Sequence, residues 1–89
     1  RNFYTIHREL AGGKGFADLV FIPRKKFSEK PALVVELKWD KTARGAITQI
    51  KEKEYCRSLE EYHGNLLLVG INYDRKTREH TCRIEEMER

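Results

Sequence analysis

Apolar and polar residues alternate through Asn2–Arg8, a segment rich in Phe, Tyr, Thr and Ile, and this pattern predicts a strand. The glycines of Ala11-Gly12-Gly13-Lys14-Gly15 supply the backbone freedom a reversal needs, so the chain is expected to turn there. Ala17–Ile22 reads as a second strand ended by Pro23, and Arg24–Lys30 as a basic loop closed by Pro31. Ala32–Trp39 predicts a third strand, the most buried of the set, because Leu33-Val34-Val35 is too apolar for a strand with one face in water. Asp40-Lys41-Thr42 then opens a helix, with Thr42 or Asp40 as its N-cap. Ala43, Ala46, Ile47, Ile50, Leu59 and Tyr62 recur at helical spacing, so the helix is expected to run from about Ala43 to Tyr62 and to stop at Gly64. Leu66–Asn72 predicts an apolar fourth strand, Asp74–Arg78 a charged turn, and His80–Glu85 an edge strand, with the last four residues of the chain expected to fray.

The expected order is β-β-β-α-β-β. A strand, a crossover helix and a further strand imply that strands three and four are parallel. The short links between the first three strands imply an antiparallel meander, so the sheet is mixed. One helix can cover one face only. The bare face implies cover from upstream of Arg1 or from a partner, and a homodimer is one way to provide it.

Composition narrows the class. The chain has 89 residues, enough for one small domain. Charged residues make up 36%, above the usual ~25%, yet dense short apolar runs set the chain apart from disordered sequences. Runs such as Leu66–Val69 are far too short to span a bilayer, so no membrane partner is expected. The chain starts at Arg1 rather than Met, which suggests a piece of a longer protein. Cys56 and Cys82 are too few for a disulfide framework and read as buried or half-buried free thiols of a cytoplasmic protein. The net charge of +4 is uneven: residues 1–50 hold 10 basic and 5 acidic residues, and residues 51–89 hold 8 and 9. A basic half fits a polyanionic partner.

The residues that can carry chemistry sit on strands two and three. Alternate strand residues share a face, so Glu36 and Lys38 project together, roughly 6.5–7 Å apart at ~3.3 Å per residue. Asp18 interrupts the apolar run Phe16–Ile22. If strands two and three pair antiparallel, Asp18 lies near Glu36 and Lys38. Two carboxylates in an apolar setting need counter-charge. Lys38 supplies one positive charge and a divalent cation would supply two more. Few hard oxygen donors, with room for water and phosphate oxygens, suit Mg2+ or Mn2+. An ordinary salt-bridge network on a strand surface would present the same three residues.

Gly15-Phe16-Ala17-Asp18-Leu19-Val20, Val34-Val35-Glu36-Leu37-Lys38, Ala46-Ile47-Thr48-Gln49-Ile50 with Tyr55, and Leu68-Val69-Gly70-Ile71-Asn72 together resemble the PD-(D/E)XK nuclease superfamily. More narrowly, they are similar to the nuclease-like domain at the C-terminal end of many bacterial AAA-ATPase-like proteins. The resemblance spans about Thr5 to Ile84. It implies an α/β restriction-endonuclease-like core, with the usual first helix missing from this fragment. It implies Asp18 and Glu36 as metal ligands, the Leu37 carbonyl as a further ligand to the ion, and Lys38 as the catalytic lysine. It adds Glu9, from His7-Arg8-Glu9, and Gln49 as site residues. It also implies a nucleic-acid partner and an AAA-ATPase-like domain on the same full-length chain. Ala17 stands where the superfamily's name has proline.

Other polar residues read more blandly. His7, His63 and His80 have no partner at ligand or triad spacing. Arg24, Lys25, Lys26 and Lys30 form a loop that can contact a nucleic-acid backbone or simply be solvated. Trp39 can stack on a base, but core packing is the stronger expectation. Gly12-Gly13-Lys14-Gly15 lacks the spacing of a phosphate-binding loop. The leading expectation is a metal-dependent phosphodiesterase acting on DNA or RNA. The rivals are a nuclease-fold binding or regulatory module of an ATPase-linked protein, and a dimerisation domain.

Overall fold

The computed structural model describes residues 2–8, 18–52 and 57–87, with the side chains of 57 and 58 excepted. Among these, five strands form one sheet in sequential order: β1 (Tyr4–Arg8), β2 (Leu19–Pro23), β3 (Ala32–Trp39), β4 (Leu66–Asp74) and β5 (Glu79–Met87). The meander β1–β2–β3 is antiparallel, β3 and β4 are parallel, and β5 returns antiparallel to β4. The mixed sheet inferred from element order is therefore present. Helices α1 (Ala43–Glu52) and α2 (Arg57–Glu60) form the crossover between β3 and β4.

Several boundaries differ from the sequence pattern. Arg24–Lys30 is not a plain loop, because Lys25–Phe27 forms a short 3-10 turn. Helical structure ends at Glu60, so Tyr62 lies beyond it; its ring is half-buried and its hydroxyl donates to the Lys30 carbonyl. Burial raises the Tyr62 pKa. β5 runs on to Met87, since Glu86 and Met87 pair with Leu67 and Leu66 instead of fraying. Cys82 is exposed on this edge strand, not buried. The glycine turn, Glu9, Tyr55 and Cys56 lie outside the described residues.

Sequence dictates which face packs. β4 alternates, burying Leu66, Leu68, Gly70 and Asn72 on one side. Parallel register places Ala32, Val34, Glu36 and Lys38 beside them. Val20 and Ile22 of β2 complete that face, and Ile47 and Ile50 of α1 with Leu59 of α2 close over it. Each such side chain contributes on the order of 1.5–3 kcal/mol when withdrawn from water. Thr42 caps α1, its hydroxyl accepting the Gly45 N–H at 2.8 Å. This settles the choice between the two N-cap candidates.

Asp40 does something else. It sits at φ 56°, in the left-handed region that Asp tolerates better than most residues. Its carboxylate accepts the Arg75 backbone N–H at 2.8 Å and pairs with the Arg75 guanidinium at 2.7 Å. The Arg75 N–H and then its guanidinium hold the Asp40 carboxyl below its ordinary pKa. The end of β3 is thereby tied to the β4–β5 turn. The buried Asn72 adds a second tie, accepting the Lys41 N–H at 2.8 Å.

The opposite face of the sheet has no covering element among the described residues. Ile6, Leu37, Trp39 and Ile84 are exposed there, in register with Phe21, Ile71, Tyr73 and Val69. The bare face expected from a single crossover helix is present, and Trp39 belongs to it. Its exposure of 58% overturns the expectation that it packs in the core.

Candidate active site

The site forms where β2 begins and β3 ends. Leu19 pairs with Val35 and Val20 with Val34. Continued one step, that antiparallel register sets Asp18 opposite Glu36. The Asp18 side chain then takes over from the ladder: its Oδ2 accepts the Leu37 backbone N–H at 2.7 Å. A carboxylate is a strong acceptor for a backbone donor, and this bond holds it at the residue lying between Glu36 and Lys38. A strand residue points its N–H and C=O toward the same neighbour. The Leu37 carbonyl therefore lies on the Asp18 side of β3, where the proposed ligand role needs it.

Glu36 and Lys38 project from the face that α1 covers, beside Gly70 and Asn72 of β4. Glu36 is 2% exposed, and Lys38 is half-buried. A carboxylate this deep is costly unless partnered. Gly70 next to it has no side chain, and the place a Cβ would take is occupied by α1 through the Ala43 carbonyl oxygen, the Ala46 Cβ and the Ile47 Cγ1. Asp18, immediately before β2, lies beside Glu36 and Lys38 of β3, tied there by its bond to the Leu37 N–H.

Gln49 is half-buried at the border of the packed face of α1, next to Ile50. No hydrogen bond joins it to Asp18, Glu36 or Lys38 among the described residues. Glu9 lies outside the described residues. His7, His63 and His80 stay apart, and His80 rests against the Tyr73 ring. Asn72 was not singled out from the sequence. Its signal was a lone amide in an apolar strand, at the position that registers with Lys38.

The donor set is one of hard oxygens: two carboxylates and a peptide carbonyl. Mg2+ and Mn2+ are held by one or two carboxylates together with water and substrate oxygens, and Asp18 with Glu36 meets that need. Among the described residues no group of three or more His, Cys, Asp or Glu gathers as a metal cluster. The fit is thus to a two-carboxylate site completed by solvent and phosphate, not to an all-protein cage.

Fold and site together define a nuclease-like α/β domain: a mixed sheet, a crossover helix and an Asp…Glu-x-Lys set at the ends of adjacent strands. The family model of the PD-(D/E)XK nuclease superfamily matches residues 1–82, and the chain belongs to that superfamily. Its members generally use divalent metals. No curated protein and no solved structure matches the chain.

Proposed function

We propose that the domain hydrolyses phosphodiester bonds in DNA or RNA, with Mg2+ or Mn2+ held by Asp18, Glu36 and the Leu37 carbonyl. The observation that carries this reading is the 2.7 Å bond from the Leu37 N–H to Asp18, which fixes one carboxylate a residue away from both Glu36 and Lys38. When bound, the cation would neutralise phosphate charge and lower the pKa of a coordinated water. The chain's own residues do the rest. Glu36, held rigid by burial, keeps its charge aimed at one point. Lys38 brings a flexible ammonium to the same face, where it stabilises the negative charge that builds on phosphate oxygens and orients the attacking water. Gln49 and Glu9 are proposed as flanking polar contacts, on the strength of the family resemblance. An AAA-ATPase-like domain on the same full-length chain, and a cytoplasmic setting, belong to the same proposal.

The test is incubation of the protein with labelled single- and double-stranded DNA and RNA in Mg2+, Mn2+ or EDTA. Cleavage is expected in either metal. It should vanish in EDTA and in Lys38→Ala. Salt-sensitive binding with no cleavage in any condition would instead identify a binding module.

A further inference from the structure

Asn72 sits on β4 in register with Lys38, on the sheet face that α1 covers, and is only 5% exposed. Its Oδ1 accepts the Lys41 N–H at 2.8 Å, which fixes the amide and turns its NH2 end the other way. That NH2 donates to no protein atom among the described residues. It is not sealed in either, since no buried side-chain nitrogen or oxygen among them lacks a partner. It opens on a cleft of about 480 Å³ between the first turn of α1 and the β4–β5 hairpin. Lys41 and Arg44 line this cleft, both are exposed, and neither forms an ion pair among the described residues. Thr81, the register partner of Asn72 on β5, brings a hydroxyl to it. The third lining cation, Arg83, is engaged by Glu85. Of the two lining carboxylates, Asp74 has its Oδ1 taken by the Lys76 and Thr77 N–H groups, and Glu79 lies ~6.6 Å further along β5 than Thr81.

We infer that this cleft is a phosphate subsite, in which the Asn72 NH2, Lys41 and Arg44 hold a backbone phosphate of nucleic acid close to the one that is cut. A buried amide with spare N–H donors is built to hold an acceptor, and two unpaired cations beside it select an anionic one. The place suits a polynucleotide. Lys38 and Asn72 are partners on neighbouring strands, about 4.8 Å apart, and Thr81 stands one strand further, ~10 Å from Lys38. At ~3.4 Å of duplex axis per nucleotide, a strand with one phosphate at Lys38 brings another to Asn72 within two or three nucleotides. Lys41 and Arg44 stand on the loop and first helical turn that follow β3, beside that path. The inference rests on the proposed nuclease reading for the identity of the polyanion. It adds a contact that reads backbone charge and not base sequence.

The experiment follows binding of labelled single-stranded and duplex oligonucleotides by anisotropy in EDTA, over a range of salt, with circular dichroism as the check on folding. Asn72→Asp keeps the acceptor for the Lys41 N–H and replaces the NH2 donor by an oxygen, so it should weaken binding about tenfold or more. Lys41→Ala with Arg44→Ala, both at exposed positions, should weaken it at least as much. The slope of log affinity against log salt should then fall by roughly 1.4 for single strands and 1.8 for duplex. Lys41→Arg with Arg44→Lys should restore both. Unrelated sequences should be affected alike. Lys25→Ala with Lys26→Ala removes the same charge at the other end of the sheet, roughly 20 Å from Lys38 by the length of β3. That is beyond the ~10 Å screening length at 0.1 M salt, so affinity should stay within about twofold of wild type. Wild-type binding by folded Asn72→Asp and by the Lys41 and Arg44 pair would overturn the inference. So would equal weakening by the Lys25 and Lys26 pair, because the effect would then be one of net charge. If Asn72→Asp does not fold, the exposed pair decides alone. Because EDTA removes catalysis, binding that behaves as expected without later cleavage in Mg2+ would sink the nuclease reading alone. Cleavage in Mg2+ with a KM that none of these variants raises would sink the subsite alone.

Discussion

Glu36→Gln is expected to lower metal-dependent phosphodiester cleavage by about 10³-fold or more while leaving the fold in place. The exchange keeps volume and shape while replacing one carboxylate oxygen by an NH2 donor. Glu36 is 2% exposed, and the Gln amide that takes its place offers no anionic oxygen. A hard divalent cation binds an amide oxygen far less well than a carboxylate, and Asp18 alone is left to hold it. Gln fills the same volume and keeps a hydrogen-bonding amide in place of the carboxylate, so the melting midpoint should stay close to wild type. Cleavage rate and thermal midpoint measured on the same preparations check this. Lost activity with an unchanged midpoint is the expected pair. Activity within tenfold of wild type would mean that Glu36 is a structural carboxylate.

Gly70→Ala is expected to be strongly destabilising, because the added methyl meets a helix backbone atom. A Cβ at this position would lie 2.5 Å from the Ala43 carbonyl oxygen, 2.9 Å from the Ala46 Cβ and 3.1 Å from the Ile47 Cγ1. A side chain could rotate away, but a helix backbone carbonyl cannot. The first turn of α1 must lift off the sheet. Overpacking of this kind costs ~1–3 kcal/mol, and contact with rigid backbone places it at about 3 kcal/mol. For a domain of this size that lowers the midpoint by roughly 10–20 °C. Activity should fall as well, because Gly70 registers with Glu36 and α1 closes over both. Thermal unfolding followed by circular dichroism measures the first effect. An unchanged midpoint would show that α1 does not pack as closely as described.

The sequence made the frame of the molecule legible because its signals are local. The apolar run of Ala32–Trp39 marked β3 to the residue. The break in hydrophobicity at Asp18, the two-residue step from Glu36 to Lys38 and the crossover helix were enough to draw the candidate site. What stayed hidden depends on contacts made across the fold. Trp39 looks like core because it is large and apolar, and only the absence of a covering element among the described residues leaves it exposed. Asp40 looks like an N-cap, yet it turns to Arg75, 35 positions away, while Thr42 caps the helix. Glu86 and Met87 look like a fraying tail because they sit among charged residues at the end of the sequence, and they become strand through pairing with β4. Gly70 and Asn72 are legible in the sequence only as part of the Leu68–Asn72 motif, and their contacts with α1 and with the β3–α1 loop are visible only in the fold.

The central claim is that Asp18 and Glu36 form one cation site, and a calorimetric titration tests it most directly. Mn2+ is titrated into the wild-type protein and into Asp18→Asn and Glu36→Gln, with circular dichroism as the check on folding. Wild type is expected to bind saturably, and both folded variants to lose that binding. Binding that is the same in all three proteins would contradict it, as would no binding by wild type even with a non-cleavable oligonucleotide present.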